Sequence, residues 1–343
     1  MSGGVDSSVA ALLLKQRGYR VIGATLRLAP STRRGAGPGP GGEESILLAR
    51  RICERLGIEH ITVDCVDAFR ERVVGRFIEE YRAGRTPNPC ITCNEKIKFP
   101  FLAAAADRMG CRSIATGHYA GLVRRGKVLL SSSPDSGKDQ SYFLYRVPVS
   151  ILERAIFPLQ GMSKEHVLSK AKKHGLRERR TIESQDVCFL GGTDLQTFLS
   201  RHLPARDGEV IDSEARVLGR HGGVHSYTIG QRRGLGISAD RPLYVTSVDA
   251  ESNLVTLGAD EELYSSTVVC TSLRMRFRKL EGALRAKIRY RHAAAPVERL
   301  ERIGRSLSVR FREPQRAVTP GQSLVLYRGG LIVGGGVISS AER

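Results

Sequence analysis

Serines, glycines and an aspartate are concentrated in residues 2–8, whose sequence is SGGVDSS. Glycines let the backbone amides turn inward, and the three serines add hydroxyl donors. A helical pattern follows directly, so the helix N-terminus would supply further amide donors. This combination binds phosphate groups, although the Gly-Lys-Ser/Thr of a Walker loop is missing. An ordinary helix-capping turn is the simpler alternative, and for a shorter motif it would be favoured.

Cys90 and Cys93 form a C-x-x-C pair after a loop that contains two prolines. The prolines stiffen the loop, Asn94 is suited to cap the next helix, and a nearby helix N-terminus would lower the thiol pKa values. The pair could belong to a zinc site, an iron–sulfur site or a catalytic nucleophile. Because no second C-x-x-C or His pair has suitable spacing, zinc is the weakest of these hypotheses.

Cys188 is a second candidate, within the segment SQDVCFL at residues 184–190. The remaining four cysteines fall in helix or strand patterns and are predicted to be small buried apolar residues; they are Cys53, Cys65, Cys111 and Cys270. Seven cysteines without a signal peptide argue against a disulfide framework and for reduced thiols in a cytosolic protein.

Helix and strand signals alternate through the first half of the chain, which predicts a doubly wound α/β fold with a parallel sheet. The Gly- and Pro-rich segment 29–42 has no periodicity and is predicted to be a mobile loop. The predicted helices are 7–17, 43–56, 67–83, 95–109 and 164–174, the last capped by Ser163, and the predicted strands are 20–28, 58–64 and 112–116.

The phosphate-binding motif stands at the very start of the sequence, whereas such a loop normally follows a buried strand. We therefore expect either a true start farther upstream or a sheet without its central strand. A missing central strand would leave the edges of its neighbours unpaired and the loop poorly held.

From about residue 208 the pattern changes to short strands separated by turn residues, which predicts a small β domain and then a β-barrel. The predicted strands are 209–211, 243–247, 254–257, 267–273, 285–290, 307–311 and 324–327. We place the domain boundaries at 1–190, 191–252 and 253–343.

The positive charge is concentrated at the end of the chain. The net charge is +19, and residues 271–343 contain 16 Lys and Arg against 5 Asp and Glu. Segments 273–278 and 285–291 alternate strictly, so each strand would turn apolar residues inward and cations outward. Arg274, Arg276 and Arg278 would then track phosphates of a polyanion. No run of about 18 apolar residues is present, so no membrane partner is expected.

The motifs together resemble one family, the tRNA-specific 2-thiouridylases of the ATP-pyrophosphatase (PP-loop) superfamily. The resemblance covers nearly the whole chain. It rests on SGGVDSS, on N-P-x-x-x-C-N-x-x-I-K-F at 88–99, and on ATGHY at 115–119, KDQSY at 138–142, DVCF at 186–189, HSYTIGQR at 225–232 and TPGQ at 319–322.

The resemblance implies roles for individual residues. It makes Cys93 the nucleophile and Cys188 the persulfide-bearing cysteine. The implied ATP contacts are Met1, Ser2, Gly3, Gly4, Val5, Asp6, Ser7, Ser8, Leu26 and Gly117. The implied contacts with the target base are Asn88, Pro89 and Cys90, and those with tRNA are His118, Lys138, Asp139, Gln140, Arg289, Tyr290 and Gln322.

The implied reaction thiolates the wobble uridine of the tRNAs for Lys, Glu and Gln. ATP, with Mg²⁺, would adenylate the uridine 2-oxygen. The Cys188 persulfide would then deliver sulfur, directly or as sulfide released by Cys93, leaving a Cys93–Cys188 disulfide. The partners implied are tRNA and a persulfide donor, either a cysteine desulfurase or a relay protein. The alternatives are a GMP-synthetase-like PP-loop enzyme and an RNA-binding relative without activity.

Cys90 departs from the family pattern, in which many members have Asp. With Cys93 and Cys188 it makes a trio that could ligate three irons of a [4Fe–4S] cluster. The sequence therefore leaves two hypotheses open for this pair, a lone nucleophile at Cys93 and a cluster site.

Overall fold

The computed structural model of the chain describes residues 1–30, 41–135, 137–176, 187–277, 279–280 and 282–342. Most of the predicted loop at 29–42 and Arg278 of the predicted basic strand lie outside these residues. The chain divides into two compact units. The first contains residues 1–74, 89–192 and 330–332, and the second contains residues 75–88, 193–329 and 333–343. Among the described residues, every helix is too short or too polar to cross a membrane.

The α-helices are α1 (Val5–Gln16), α2 (Glu43–Leu56), α3 (Val66–Phe69), α4 (Arg76–Arg82), α5 (Pro89–Cys93), α6 (Phe99–Arg108), α7 (Val149–Leu152), α8 (Lys164–Lys173) and α9 (Leu195–Ser200). The strands are β1 (Ile22–Arg27), β2 (Glu59–Asp64), β3 (Ile114–Ala115), β4 (Gly121–Arg125), β5 (Lys127–Ser131), β6 (Ala155–Ile156), β7 (Gly208–Ile211), β8 (Val217–His221), β9 (Tyr244–Asp249), β10 (Leu254–Gly258), β11 (Tyr264–Met275), β12 (Arg285–Lys287), β13 (Ala295–Ile303), β14 (Ser306–Arg316), β15 (Ser323–Arg328) and β16 (Leu331–Glu342).

The first unit has the parallel strands that the sequence predicts. β1 pairs with β2, and β3 pairs with β6, both in parallel. Within the described residues these are two separate two-stranded sheets, so β1 and β3 each have a partner on one edge only. The helices cover them: α1 and α8 share one apolar cluster, in which Val9, Val167 and Ala171 are fully buried. Ser163 caps α8 as predicted, because its hydroxyl oxygen accepts a hydrogen bond from the backbone N–H of His166.

Two predicted helices contain an irregular turn. The predicted helix 95–109 in fact begins at Pro89, and a π-helical turn, Asn94–Lys98, separates α5 from α6. A second π-helical turn, Arg70–Gly75, separates α3 from α4. A π turn adds a residue to the helical repeat and redirects the side chains that follow, which is why such turns are frequent at functional sites. The regular periodicity assumed from the sequence was wrong here.

The second unit carries the β structure. β8, β7, β10 and β9 form a four-stranded sheet in that order. The next six strands form a closed barrel in the order β11, β14, β13, β12, β15 and β16, and β16 pairs back onto β11. Leu273, Met275 and Phe277 pack against the barrel core, where Ala286 and Ile288 are buried. The inward apolar face predicted from strict alternation is therefore confirmed, although β12 is shorter than predicted.

A buried ion pair holds the turn between α5 and α6. The guanidinium of Arg146 donates two hydrogen bonds to the carboxylate of Glu95, at 2.7 Å from Nε and 3.3 Å from Nη2. Only 4% of the Glu95 side chain and 13% of the Arg146 side chain are exposed. Asn94 adds a second tie, because its Nδ2 donates to the carbonyl of Phe143 at 3.1 Å. Asn94 is therefore an anchor of this turn and not the helix cap that the sequence suggests.

Replacing Arg146 by Met should lower the free energy of unfolding by about 3–5 kcal/mol, because the buried Glu95 carboxylate would lose the guanidinium that donates two hydrogen bonds to it. Urea titration followed by circular dichroism measures the change. Arg70→Met is the matched control: its partner Asp67 is exposed, and such a pair contributes about 0–1 kcal/mol. Equal losses in the two variants would contradict a special role for the buried pair.

Candidate active site

The segment 2–8 forms a loop that leads into the first turn of α1. Gly3 has a φ of +74°, which favours glycine, and Gly4 is the N-terminal flanking residue of the helix. The backbone nitrogen of Ser2 donates to the hydroxyl of Ser7 at 3.1 Å, and the hydroxyls of Ser7 and Ser8 donate to the carbonyl of Gly4. The loop is thus braced by its own side chains, with the amides of the first helical turn at its opening.

Gly117 lies beside this loop, two residues after the end of β3. Leu26, near the end of β1, packs against the apolar cluster that Cys93 also contacts, and its contact with ATP stays a prediction. A Cβ atom at Gly117 would be 2.8–2.9 Å from the backbone of Asp6 and Ser7, so only glycine allows this approach. On the other side, the nitrogen of Met1 donates to the carbonyl of Ala24 in β1. The parallel strands β1 and β3 and the N-terminus of α1 therefore meet at the loop 2–8. This geometry fits a nucleoside triphosphate, and Asp6 would supply a carboxylate ligand for its Mg²⁺.

Cys93 and Cys188 contact the same apolar cluster. Both are partly buried against a core that contains Val63, Phe69 and Ile97. Phe189, next to Cys188, packs edge-on against Phe69 with ring centroids 6.1 Å apart. The structure therefore brings together two cysteines that the sequence separates widely. All seven cysteines lie in the described residues, and all are free thiols.

Burial raises the pKa of each candidate thiol. For Cys93 the largest cause is desolvation, opposed by the Lys98 charge and by a hydrogen bond from the Lys98 backbone. For Cys188, burial and the charges of Cys93 and Cys90 raise the pKa to about 12. The Cys90 pKa is also raised by desolvation, although its exposure to solvent weakens this effect. The lowered thiol pKa expected from a helix N-terminus is thus not found, because desolvation outweighs the effects that lower it.

Lys98 is a candidate site residue to which the sequence analysis gave no role. Its charge lowers the pKa of Cys90, Cys93 and Cys188, in each case against the effect of burial. It also acts on His118, whose pKa is well below its usual value because of burial and this charge. Lys98 is five residues after Cys93. On a regular α-helix, side chains at this spacing point in different directions, whereas the π-helical turn brings them to the same side. Lys98 is part of the I-K-F motif at residues 97–99, but a regular helix, which the sequence pattern predicts, would not place it beside Cys93.

His118 is held by two aromatic rings. Its ring stacks on Phe99 at 5.9 Å and meets Phe157 edge-on at 6.2 Å, and its Nδ1 shares a hydrogen bond with the Thr116 hydroxyl at 2.8 Å. The lowered pKa keeps the imidazole neutral near pH 7. A contact with tRNA from this residue stays a prediction.

The segment 138–140 is anchored within the first unit. The carboxylate of Asp139 is buried and accepts hydrogen bonds from the backbone of Ser133 and from the backbone and hydroxyl of Ser141. The side chain of Gln140 accepts from the backbone nitrogen of Tyr119 at 3.1 Å. Both side chains are therefore already used in the fold. Lys138 is partly exposed, and its contact with tRNA stays a prediction.

In the second unit, a barrel loop holds the segment before Asn88. The side chain of Gln322 donates to the carbonyl of Thr86 at 2.8 Å, and the Thr86 nitrogen donates to the carbonyl of Pro320 at 2.9 Å. A Cβ atom at Gly321 would be 2.9–3.0 Å from the Thr86 backbone. We call residues 319–322 the clamp loop. Arg289 donates to the Thr319 hydroxyl at 2.7 Å, so two of the predicted tRNA contacts, Arg289 and Gln322, support this loop.

Other predicted residues are placed as follows. Tyr290 is partly exposed, Asn88 is partly exposed, and Pro89 is buried as the first residue of α5. Cys53, Cys65 and Cys270 are buried as predicted, but Cys111 is only partly buried, because it lies in the turn after α6.

No group of three His, Cys, Asp or Glu side chains in the described part of the chain could hold a metal ion. The trio of Cys90, Cys93 and Cys188 therefore does not fit a [4Fe–4S] cluster in this geometry.

Replacing Lys98 by Gln should slow the alkylation of Cys93 by iodoacetamide several-fold at pH 8. Loss of the cation raises the thiol pKa, so the thiolate fraction falls at any pH below that pKa. The two rates should converge as the pH rises above both pKa values. Peptide mass spectrometry at a series of pH values measures the rate at Cys93 alone.

The matched control is Lys96→Gln, which removes an exposed cation two residues away that is 3.9 Å from Glu95. It should leave the alkylation profile unchanged. A profile equally shifted in both variants would show that general charge, and not the position of Lys98, sets the reactivity of Cys93.

Comparisons with known proteins identify the family. Residues 1–192 match the family model described as a tRNA methyl transferase HUP domain, residues 196–259 a tRNA methyl transferase PRC-barrel domain, and residues 265–338 an aminomethyltransferase beta-barrel domain. These matches agree with the α/β fold, the small β sheet and the closed barrel described above.

Curated relatives match along the whole chain. Proteins named tRNA-specific 2-thiouridylase MnmA are 43% identical in Acidithiobacillus ferrooxidans, over 100% of this chain and 97% of the relative, and 43% identical in Geobacter metallireducens, over 99% and 96%. Another in Halothermothrix orenii is 41% identical over 98% of this chain and 97% of the relative. The chain belongs to the tRNA-specific 2-thiouridylases, a family of tRNA-uridine sulfurtransferases.

Proposed function

We propose that this enzyme thiolates the wobble uridine of the tRNAs for Lys, Glu and Gln in the cytoplasm, in two stages. The observation that carries the proposal is the placement of Cys93 and Cys188 on one apolar cluster within the same unit as the phosphate loop. A GMP-synthetase-like enzyme needs no such pair of cysteines. An inactive RNA-binding relative needs no braced phosphate loop.

The first stage activates the uridine. Its 2-oxygen attacks the α-phosphorus of ATP, the bond to the bridging oxygen of the β-phosphate breaks, and pyrophosphate leaves with the electron pair. Adenylation turns a poor leaving group into AMP. The loop 2–8 and Gly117 hold the phosphates, while Asp6 would hold Mg²⁺, which neutralises phosphate charge. The amides of the first turn of α1 would donate to the charge that develops on these phosphates.

The second stage transfers sulfur. A persulfide donor, a cysteine desulfurase or a relay protein, first loads Cys188. The outer sulfur then replaces AMP at carbon 2, directly or after release as sulfide, while the Cys93 thiolate attacks the inner sulfur of Cys188. The products are the thione, AMP and a Cys93–Cys188 disulfide. A cellular dithiol, or two molecules of a monothiol, supplies the two electrons that reduce that disulfide and is itself oxidised to a disulfide.

Burial keeps both thiols protonated at rest. With a pKa of about 12, Cys188 is a poor nucleophile in this state, so it is protected from unwanted oxidation. Lys98 supplies the opposing charge when Cys188 must become a thiolate to accept sulfur and when Cys93 must become one to attack. Burial therefore lowers the reactivity of these thiols by raising their pKa values, and Lys98 opposes this effect. No step of this mechanism passes through an iron–sulfur cluster.

Cys93→Ser and Cys188→Ser should each abolish formation of 2-thiouridine. The assay combines purified enzyme, ATP, Mg²⁺, a persulfide donor and an unmodified tRNA, and digests the product to nucleosides for mass spectrometry. Pyrophosphate release should persist in both variants, because neither cysteine takes part in adenylation.

Cys111→Ser is the control, since Cys111 is a partly exposed thiol in the turn after α6, and it should keep full activity. The proposal fails if Cys188→Ser still produces 2-thiouridine from a persulfide donor. Thiolation at a position other than the wobble uridine, located by sequencing digests, would overturn the assignment of the target base.

Two arginines, Arg274 near the end of β11 and Arg276 just after it, are proposed to bind tRNA phosphates. Replacing both by Ala should weaken tRNA binding and lower the slope of log K against log salt by about 1 for each phosphate that is no longer neutralised. Filter binding between low and moderate salt measures that slope. Arg299→Ala is the control, because this exposed residue already pairs with Glu301 at 3.1 Å. An unchanged slope in the double variant would exclude this segment from the tRNA surface.

A further inference from the structure

His118 lies next to both halves of the candidate active site. It directly follows Gly117, whose α-carbon packs against the backbone of the phosphate loop. The charge of Lys98 acts on His118 and on each of the three candidate thiols, so all four groups are close to one ammonium. A uridine that reacts first with ATP and then with a persulfide must lie between the phosphate loop and the thiols. His118 is therefore in a position to contact the reacting base.

The imidazole of His118 is held in one orientation. Phe99 stacks on it with ring centroids 5.9 Å apart and an interplanar angle of 20°, and Phe157 meets it edge-on at 6.2 Å. Its Nδ1 is 2.8 Å from the hydroxyl oxygen of Thr116. The side chain nevertheless remains partly exposed. In the tautomer whose Nδ1–H donates to Thr116, the other nitrogen, Nε2, keeps its lone pair for a substrate.

Adenylation of a uridine releases a proton that some group must accept. When the 2-oxygen bonds to the α-phosphorus, its double bond to carbon 2 becomes a single bond. The electron pair of the N3–H bond then forms a double bond between N3 and carbon 2, and the proton leaves. The proton must return to N3 when sulfur displaces AMP, because the thione again carries N3–H. The reaction therefore needs a group that accepts one proton and later gives it back.

His118 is suited to both transfers. The candidate thiols have raised pKa values, so they are protonated and do not accept a proton. The pKa of His118 is lowered by burial and by the charge of Lys98, so its imidazole is neutral near pH 7. The other contacts of the ring come from Phe99, Phe157 and Thr116, which carry no charge. Once protonated beside Lys98, the imidazolium would release its proton readily to N3.

We propose that His118 is a catalytic base of this enzyme, whose Nε2 accepts the N3 proton of the target uridine during adenylation and returns it as the thione forms. Thr116 is a positioning residue, because its hydroxyl selects the tautomer in which Nε2 keeps its lone pair. This inference rests on the proposed function. The resemblance to the 2-thiouridylases gives His118 only a contact with tRNA, which requires no proton transfer.

His118→Gln separates a catalytic base from a tRNA contact. A glutamine amide can still hydrogen-bond to tRNA, but it does not accept a proton. In initial rates of tRNA-dependent pyrophosphate release, kcat should fall by about a hundredfold or more, with a much smaller change in KM for tRNA. In the unaltered enzyme kcat should decrease at pH values well below 6.5, where the base becomes protonated. This inflection should be absent in the variant.

Thr116→Val should also lower kcat, and Thr116→Ser should preserve it, because serine keeps the hydroxyl. This pair decides the matter if His118→Gln does not fold, and equal kcat values in the two Thr116 variants would then refute the proposal. His174→Asn is the matched control, because it changes an exposed histidine of the same unit and should release pyrophosphate like the unaltered enzyme. Melting temperatures establish that each variant is folded.

The proposal is overturned if His118→Gln raises KM for tRNA but keeps its kcat, or if it retains the pH inflection of the unaltered enzyme. Either result would leave His118 as a tRNA contact. A different result, the absence of tRNA-dependent pyrophosphate release from the unaltered enzyme, would contradict the proposed function itself, so the two failures can be told apart.

Discussion

The cysteine site depends on a charge pair that is not itself reactive, the two hydrogen bonds between Arg146 and Glu95. Glu95 is the second residue of the π-helical turn that joins α5 to α6. By fixing that residue, the pair fixes the register between Cys93 at the end of α5 and Lys98 at the end of the turn. A regular helix would separate these two side chains. The buried ion pair thereby keeps the Lys98 charge in the position from which it lowers the pKa of Cys93.

Burial and charge act against each other throughout this site. Desolvation raises the pKa of Cys90, Cys93 and Cys188, and a single lysine opposes it. A neutral His118 adds no second positive charge, because its own pKa is lowered by burial and by Lys98. Among the charges of the described residues, Lys98 is the one that lowers the pKa of all three thiols.

Much of this architecture could be predicted from the sequence because it depends on local patterns. The glycines and serines of residues 2–8, the helix Glu43–Leu56 with its terminal Gly57, and the apolar alternation around Met275 each require only neighbouring residues. The contacts that could not be predicted join distant segments. Lys164 reaches Asp6 across 158 residues, and Arg146 reaches Glu95 across 51. The π-helical turn was missed because its sequence keeps an ordinary helical composition.

The clamp loop has a consequence for the order in which the protein is made. Gln322 and Thr86 are 236 residues apart, so their hydrogen bond closes a very long loop and forms only after residue 322 has been made. The segment just before Asn88 is therefore fixed late, even though it is translated early.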